Sequence, residues 1–294
     1  MDEVVGRILQ DDKDFLVEVI DWQGRLAVRK TPKPTTLPHR IERLQNEAYG
    51  LKFLAELVKK HSNLNLYVPE LYEASKNSVV REYVDAEPLV KAEMELDLAN
   101  ERLDKLAALL SDIDRVEPYG EVRFVGHFDH RNIRKNFPKW TKEPMEAGMI
   151  SRPEIDKINQ LINKFEIFLQ PRIAHGDLSP HSHSFLMPDG KIAWVDLENF
   201  TPGGARYYDV ARGYIRLYSF QKSTETPKKF LASYLAKTED VPHREEQMLA
   251  ILLQQSLGIQ YDAWYEAQVR SDFRDRAREV LDIALTGRLE NFYK

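Results

Sequence analysis

Two apolar runs, Phe185-Leu186-Met187 and Ile192-Ala193-Trp194-Val195, flank Pro188-Asp189-Gly190 in a half of the chain otherwise patterned for helices. Pro, Asp and Gly in succession mark a tight turn, so the segment reads as a β-hairpin. No other feature constrains the fold as strongly, because a hairpin set among helices brings its two distant ends together. The turn decides the register. With a three-residue turn Ser182 faces Asp196; with a two-residue turn at Asp189-Gly190, His183 faces it. Asp177 lies just upstream in a loop of Gly, Ser and Pro. Two carboxylates and a hydroxyl or imidazole therefore converge. On spacing alone two readings stand: an acidic hairpin end in water, or a site for a hard divalent cation and a base that orients a hydroxyl.

The chain has 294 residues, a length that suggests two domains or lobes. Its first thirty residues hold short runs rich in Val, Ile and Leu, separated by Asp11–Asp14 and by Gln23-Gly24, which predicts two hairpins. A proline-rich loop follows. Ile41, Leu44, Ala48, Leu51, Ala55 and Val58 then recur at steps of three and four, predicting a helix over 41–60. Residues 78–84 read as a strand, and Asp85-Ala86-Glu87-Pro88 breaks it. Beyond that point the pattern is mostly helical, with stripes at Leu103–Ile113 and Ile155–Leu169 and two more helices over 244–260 and 262–287. This predicts an α+β chain with a lobe boundary between residues 86 and 87.

Composition removes several classes. There is no cysteine, which excludes disulfides, thiolate catalysis and cysteine-held metals. The net charge of -5 argues against a dedicated nucleic-acid binder. No run of about 18 apolar residues occurs, so no membrane helix is expected. The acidic N-terminus does not look like a signal peptide, and a cytoplasmic protein is expected.

His175-Gly176-Asp177-Leu178-Ser179-Pro180, then Val195-Asp196-Leu197-Glu198, then Ala205–Arg212 with Asp209, follow one another in order. They resemble the three motifs of the aminoglycoside phosphotransferase and choline kinase family, small-molecule relatives of the protein kinases. The resemblance implies a bilobal protein-kinase-like fold: a small antiparallel-sheet lobe with one helix over 1–86, and a larger helical lobe over 87–294. It implies ATP or GTP as donor and a hydroxyl of a small molecule, aminoglycoside, sugar-like or amino-alcohol, as acceptor. Asp177 becomes the catalytic base and Asp196 the ligand of Mg²⁺. His175 and Asp209 brace the loop. The family's second metal ligand is normally Asn, five positions after the base. Here that position is Ser182, and counting back from Asp196 lands on His183, a residue type that macrolide phosphotransferases carry there. Imidazole is a softer ligand than an amide oxygen and suits Mn²⁺ or Zn²⁺ better than Mg²⁺.

In the first lobe, Val28 and Lys30 share a strand face. By the resemblance Val28 covers adenine, Lys30 reaches the phosphates, and Glu47 on the helix pairs with Lys30. Residues 79–84 resemble the hinge, with backbone groups of Glu82 and Val84 meeting adenine and Tyr83 beside them. The phosphate turn at Asp11–Asp14 lacks the usual glycine. That lack, with the missing Asn, keeps a pseudokinase acting as a binding module as the alternative. Arg123, Arg131, Arg134, Lys135 and Lys139 interleave with Phe124, Phe128, Phe137 and Trp140, either as an acceptor-binding patch or as a solvated helix or loop. Tyr261, Trp264, Tyr265 and Phe273 are expected in the core.

Overall fold

A computed structural model describes residues 5–120, 133–221, 223–266 and 272–294. The first part of the chain builds an antiparallel sheet. Strands β1 (Ile8–Asp11), β2 (Phe15–Trp22) and β3 (Arg25–Pro32) run as two hairpins. The β2–β3 turn has positive φ at both Gln23 and Gly24. That mirror-image turn matches the twist of the strands it joins. The β1–β2 turn contains no glycine; instead the Asp12 carboxylate accepts the N–H groups of Asp14 and Phe15, both at 2.7 Å. Along β2, Phe15, Val17 and Val19 point inward, and on β3 Val28 and Lys30 share the buried face.

Helix α1 (Pro38–Lys60) lies against this sheet. It begins three residues before the apolar stripe, because Pro38 in its first turn needs no N–H partner and has a helical φ already. Leu44, Leu51, Leu54 and Leu57 are buried along it. After β4 (Leu66–Tyr67), strands β5 (Leu71–Ser75) and β6 (Ser78–Glu82) complete the sheet in the order β1-β2-β3-β6-β5. The predicted break at residues 85–88 contains a two-residue strand, β7 (Glu87–Pro88). Proline is tolerated there because β7 is an edge strand.

The remainder is mainly helical: α2 (Leu96–Asp114), α3 (Ile133–Glu146), α4 (Arg152–Phe165), α5 (Tyr208–Phe220), α6 (Glu225–Lys237), α7 (Arg244–Glu266) and α8 (Phe273–Leu285). The α2 stripe of Leu103, Leu106, Leu110 and Ile113 is buried, and α2 packs on α6. A capping box at Ser151 and Glu154 starts α4, whose Ile155, Ile158, Ile162 and Phe165 face the core. Helix α7 is buried on every side over 247–260 and packs on α3, α4, α5 and α8, as a central helix must. It also corrects one expectation: the helix runs unbroken through Tyr261 and Asp262 to Glu266, since neither residue is a helix breaker. Among the described residues no helix is long and apolar enough to cross a membrane.

Two short sheets set into this helical region position the site. Strands β9 (Ser184–Leu186) and β10 (Ile192–Trp194) form the hairpin, with β4 parallel to β10 and β7 against β9. The first 86 residues thus lend a strand to the second sheet. Strand β8 (Pro171–Ala174) pairs with β11 (Thr201–Ala205). Asp177 follows β8 and Asp196 follows β10, in separate sheets whose ends are tied where the His175 ring meets the Val195 carbonyl at 2.9 Å.

Candidate active site

The loop that carries Asp177 is held by hydrogen bonds from two directions. Asp209, in the first turn of α5, accepts the N–H of His175 at 2.7 Å and of Gly176 at 3.0 Å. Gly176 has a φ of +85°, a conformation side chains rarely adopt. The His175 ring is fully buried, and its Nε2 lies 2.9 Å from the Val195 carbonyl. A carbonyl only accepts, so Nε2 carries the proton and Nδ1 is left to accept the N–H of Asp177 at 3.4 Å. Burial pushes the His175 ring down to about 4 and so keeps it neutral. Burial pushes the Asp209 carboxyl up to about 7 against the two N–H bonds it accepts.

The hairpin adopts the three-residue turn. Trp194 pairs with Ser184 and Ala193 with Phe185, and the Val195 N–H donates to the His183 carbonyl at 3.1 Å. By register Ser182 then faces Asp196. Asp196, however, takes a left-handed conformation, φ 59° and ψ 56°, which aspartate tolerates better than most residues. Its carboxylate leaves the ladder's line, and Oδ2 comes to 3.5 Å from His183 Nε2. The Ser182 hydroxyl donates to Ser179 Oγ at 2.8 Å instead. His183 Nδ1 lies 2.6 Å from the Asp177 carbonyl. In the neutral ring Nδ1 must therefore donate, which leaves the Nε2 lone pair turned toward Asp196.

That donor set is small: one carboxylate oxygen and one imidazole nitrogen, with a hydroxyl nearby. Among the described residues no group of three His, Asp or Glu side chains surrounds a common point. Two protein donors fit an ion that keeps waters and phosphate oxygens in its sphere, as Mg²⁺ does, better than one held wholly by protein.

Lys30 is buried against three carboxylates: Asp196 at 2.8 Å, Glu47 at 3.2 Å and Glu198 at 3.3 Å. Arg81 approaches Glu47 at 3.5 Å and Arg43 approaches Glu198 at 3.2 Å, so three cations balance three anions. Burial pushes the Lys30 amine down, but the three carboxylates outweigh it and hold it well above its ordinary value. Burial pushes the Asp196 carboxyl up; the Lys30 ammonium outweighs this and holds it down at about 2. Asn46 on α1 donates to the carbonyls of Glu198, at 3.1 Å, and Phe200, at 2.8 Å, and so fixes the turn after Asp196. Gly50, one helical turn on, lets the same turn approach: a Cβ there would lie 3.0 Å from Leu197 and Phe200.

Sequence reasoning missed the partners of Asp177. Arg212 Nε donates to Asp177 Oδ1 at 3.0 Å, and Arg216 approaches the same oxygen at 3.6 Å. Burial pushes the Asp177 carboxyl up, but the two guanidiniums outweigh it and hold it well below the usual carboxylate range. The signal was present: Asp209, Arg212 and Arg216 recur at steps of three and four, on one face of α5.

Two cavities flank these groups. One of about 370 Å³ is walled by Val17, Val28, Lys30, His183, Val195 and Asp196. The other, about 240 Å³, opens on Asp177 and is lined by Arg43, Tyr208, Arg212, Tyr261 and Asp262 among others. Glu82, Tyr83 and Val84 are not brought to either wall. The Glu82 N–H goes to the Glu70 carbonyl at 2.8 Å and the Tyr83 N–H to the Leu26 carbonyl at 3.2 Å, while the Glu82 carboxylate accepts from Tyr67 at 2.6 Å. Of the basic and aromatic segment, residues 121–132 and the side chains of Arg134, Lys135, Phe137 and Lys139 lie outside the described residues. Trp140 lines the smaller cavity, and Tyr261 does too rather than joining the core. Phe273 is buried, whereas Tyr265 is 74% exposed.

A family model described as the phosphotransferase enzyme family matches residues 6–248. The chain belongs to that family. Among curated proteins no sequence matches. Solved structures share its fold. A thermostable mutant of the aminoglycoside phosphotransferase APH(4)-Ia, in ternary complex with AMP-PNP and hygromycin B, is 12% identical, with 96% of this chain and 93% of that chain covered at a TM-score of 0.60. Choline kinase LicA from Streptococcus pneumoniae is 15% identical over 94% and 91%, with a TM-score of 0.57. A putative fructosamine-3-kinase from Haemophilus somnus is 13% identical over 95% and 90%, with a TM-score of 0.61. The family makes the chain a phosphotransferase, the solved structures show that its fold is kinase-like, and the pseudokinase alternative finds no support.

Proposed function

We propose that the protein transfers the γ-phosphate of ATP to a hydroxyl of a small molecule, with Asp177 on the acceptor side and Asp196 on the nucleotide side. The observation that carries this is His183. Its Nδ1 holds the Asp177 backbone at 2.6 Å while its Nε2 faces Asp196 at 3.5 Å. One ring thereby fixes the spacing between the base and the metal ligand.

The nucleotide occupies the larger cavity, its adenine against Val17 and Val28. ATP-bound neighbours of this fold support ATP; GTP is the second donor to test. Lys30 sits where phosphate oxygens arrive, and Glu47 orients it. Asp196 and His183 would hold Mg²⁺, or Mn²⁺, which when bound neutralises charge on the phosphates. Ser182, bonded to Ser179, is the weaker donor. Asp177 orients the acceptor hydroxyl and accepts its proton as the new P–O bond forms. Held ionised by Arg212 and Arg216, it acts chiefly by positioning, which suits a loose transition state needing little covalent assistance. An adenine-edge contact of the Glu82 N–H requires that it leave the Glu70 carbonyl; the Val84 backbone supplies the other contact, with Tyr83 beside them.

The test is the melting temperature with AMP-PNP and Mg²⁺, on the native chain and on Asp196→Ala. At 100 times its dissociation constant a ligand stabilises by about 2.7 kcal/mol. A metal-dependent shift lost in Asp196→Ala is expected. No shift with AMP-PNP or GTP, under Mg²⁺ or Mn²⁺, would overturn the reading.

A further inference from the structure

The cavity beside Asp177 is lined by more guanidinium than carboxylate. Arg40 and Arg43 reach it from α1 and Arg212 from α5; Asp177 and Asp262 are the lining carboxylates among the described residues. Asp177 is committed to Arg212 and to the reacting hydroxyl. Asp262 lies 3.9 Å from Arg212 and 3.8 Å from Arg216. Those separations balance charge but are too long to satisfy the guanidinium donors. The Nε atoms of Arg43 and Arg216 are buried, and among the described residues neither has a hydrogen-bond partner. Buried donors of this kind are costly unless matched.

An ammonium group entering here meets three lining guanidiniums, Arg40 (3.5 Å from Asp14), Arg43 (3.2 Å from Glu198) and Arg212, and two carboxylates that Arg212 already opposes. A carboxylate or phosphate supplies the missing acceptors, in the planar, forked geometry that arginine matches best. At about 240 Å³ the cavity also falls below the usual ~300–1,000 Å³ of drug-sized sites, so the acceptor is small. We propose that the acceptor of this enzyme carries an oxyanion, a carboxylate or a phosphate, seated against Arg40, Arg43 and Arg212 while its hydroxyl meets Asp177. The inference rests on the kinase reading above and narrows its acceptor: polycationic aminoglycosides and amino alcohols are disfavoured.

Four compounds on one hydroxylated six-carbon skeleton separate the cases: D-glucose 6-phosphate, D-gluconate, D-glucose and D-glucosamine. Their affinities are measured by calorimetry with the protein saturated in AMP-PNP and Mg²⁺, so that the nucleotide occupies its own phosphate site. At least one anion should bind about tenfold or more tighter than glucose, with glucosamine weakest, a gap of about 1.4 kcal/mol. Which anion leads tells carboxylate from phosphate. Arg43→Gln should narrow that gap to less than about threefold, the scale of one lost charge-assisted contact. Arg40→Gln, on the more exposed side, serves the same purpose if Arg43→Gln does not fold. Equal binding of all four, tighter binding of glucosamine, or no anion binding at millimolar concentration overturns the proposal. Nucleotide binding that persists through any of these results leaves the kinase reading intact, whereas absent nucleotide binding removes that reading first.

Discussion

His175 and Asp209 form the brace behind Asp177, and burial moves their protonation in ways that oppose each other. His175 is wholly buried and pushed down to about 4 from 6.5. Between those values the unfolded chain holds a proton there that the native chain does not. Native stability from this residue therefore falls as pH drops from 6.5 to 4, at about 1.4 kcal/mol per pH unit and about 3 kcal/mol in all. Asp209 is 6% exposed and pushed up to about 7 from 3.8. Here the native chain holds the proton longer, so its contribution is complete below 3.8 and is lost as pH rises to 7, with a slope of the same size and opposite sign. In the native protein the two slopes cancel between about pH 4 and 6.5. Urea denaturation of the native chain, His175→Asn and Asp209→Asn at half-unit steps across that window reads the effect. Relative to the native chain, His175→Asn should gain stability toward low pH and Asp209→Asn toward high pH, each by about 1.4 kcal/mol per unit. Parallel curves, displaced but not tilted, would refute the argument, because lost hydrogen bonds alone produce no slope.

Three further outcomes are expected. Lys30→Met leaves Glu47, Asp196 and Glu198 clustered without their central cation and should destabilise the protein by about 3–5 kcal/mol in urea. Gly50→Ala drives a Cβ into Leu197 and Phe200; overpacking should remove about 1–3 kcal/mol, and a denaturation midpoint equal to the native one would show that the turn yields freely. Asp177→Asn should lower kcat by about 10²–10⁴-fold in an ADP-release assay while leaving AMP-PNP affinity unchanged, since Asp177 lies outside the larger cavity's wall.

Much of the site was legible because its parts are close in sequence. The hairpin and the buried face of α1 with Glu47 can be read from spacing, and the Asp177, Asp196 and Asp209 motifs from the family resemblance. The hairpin's register could not, since Pro188-Asp189-Gly190 admits two turns. Nor could the consequence of that register, because the left-handed backbone at Asp196 reverses which neighbour the carboxylate meets. Arg212 and Arg216 are visible as a helix face, but their partner is 35 residues or more away and is chosen by packing. The present partner of Glu82 was hidden for a related reason: its N–H goes to the carbonyl of Glu70, just before β5. Long-range pairing of this kind leaves no periodic trace.

Helix α1 presents Arg40, Arg43, Glu47 and Gly50 on one face at steps of three and four. Between them they touch the cavity beside Asp177, Glu198, Lys30 and the turn after Asp196. The helix thus works as a ruler: ten residues set a span of about 15 Å from that cavity to the turn after Asp196. A ruler tolerates repainting but not a lost graduation. Removing one residue between Arg43 and Glu47 would turn everything beyond it by about 100° and slide it about 1.5 Å. Relatives of this chain should therefore vary α1 by substitution and confine length changes to the loops at its ends, such as residues 33–37 and 61–65.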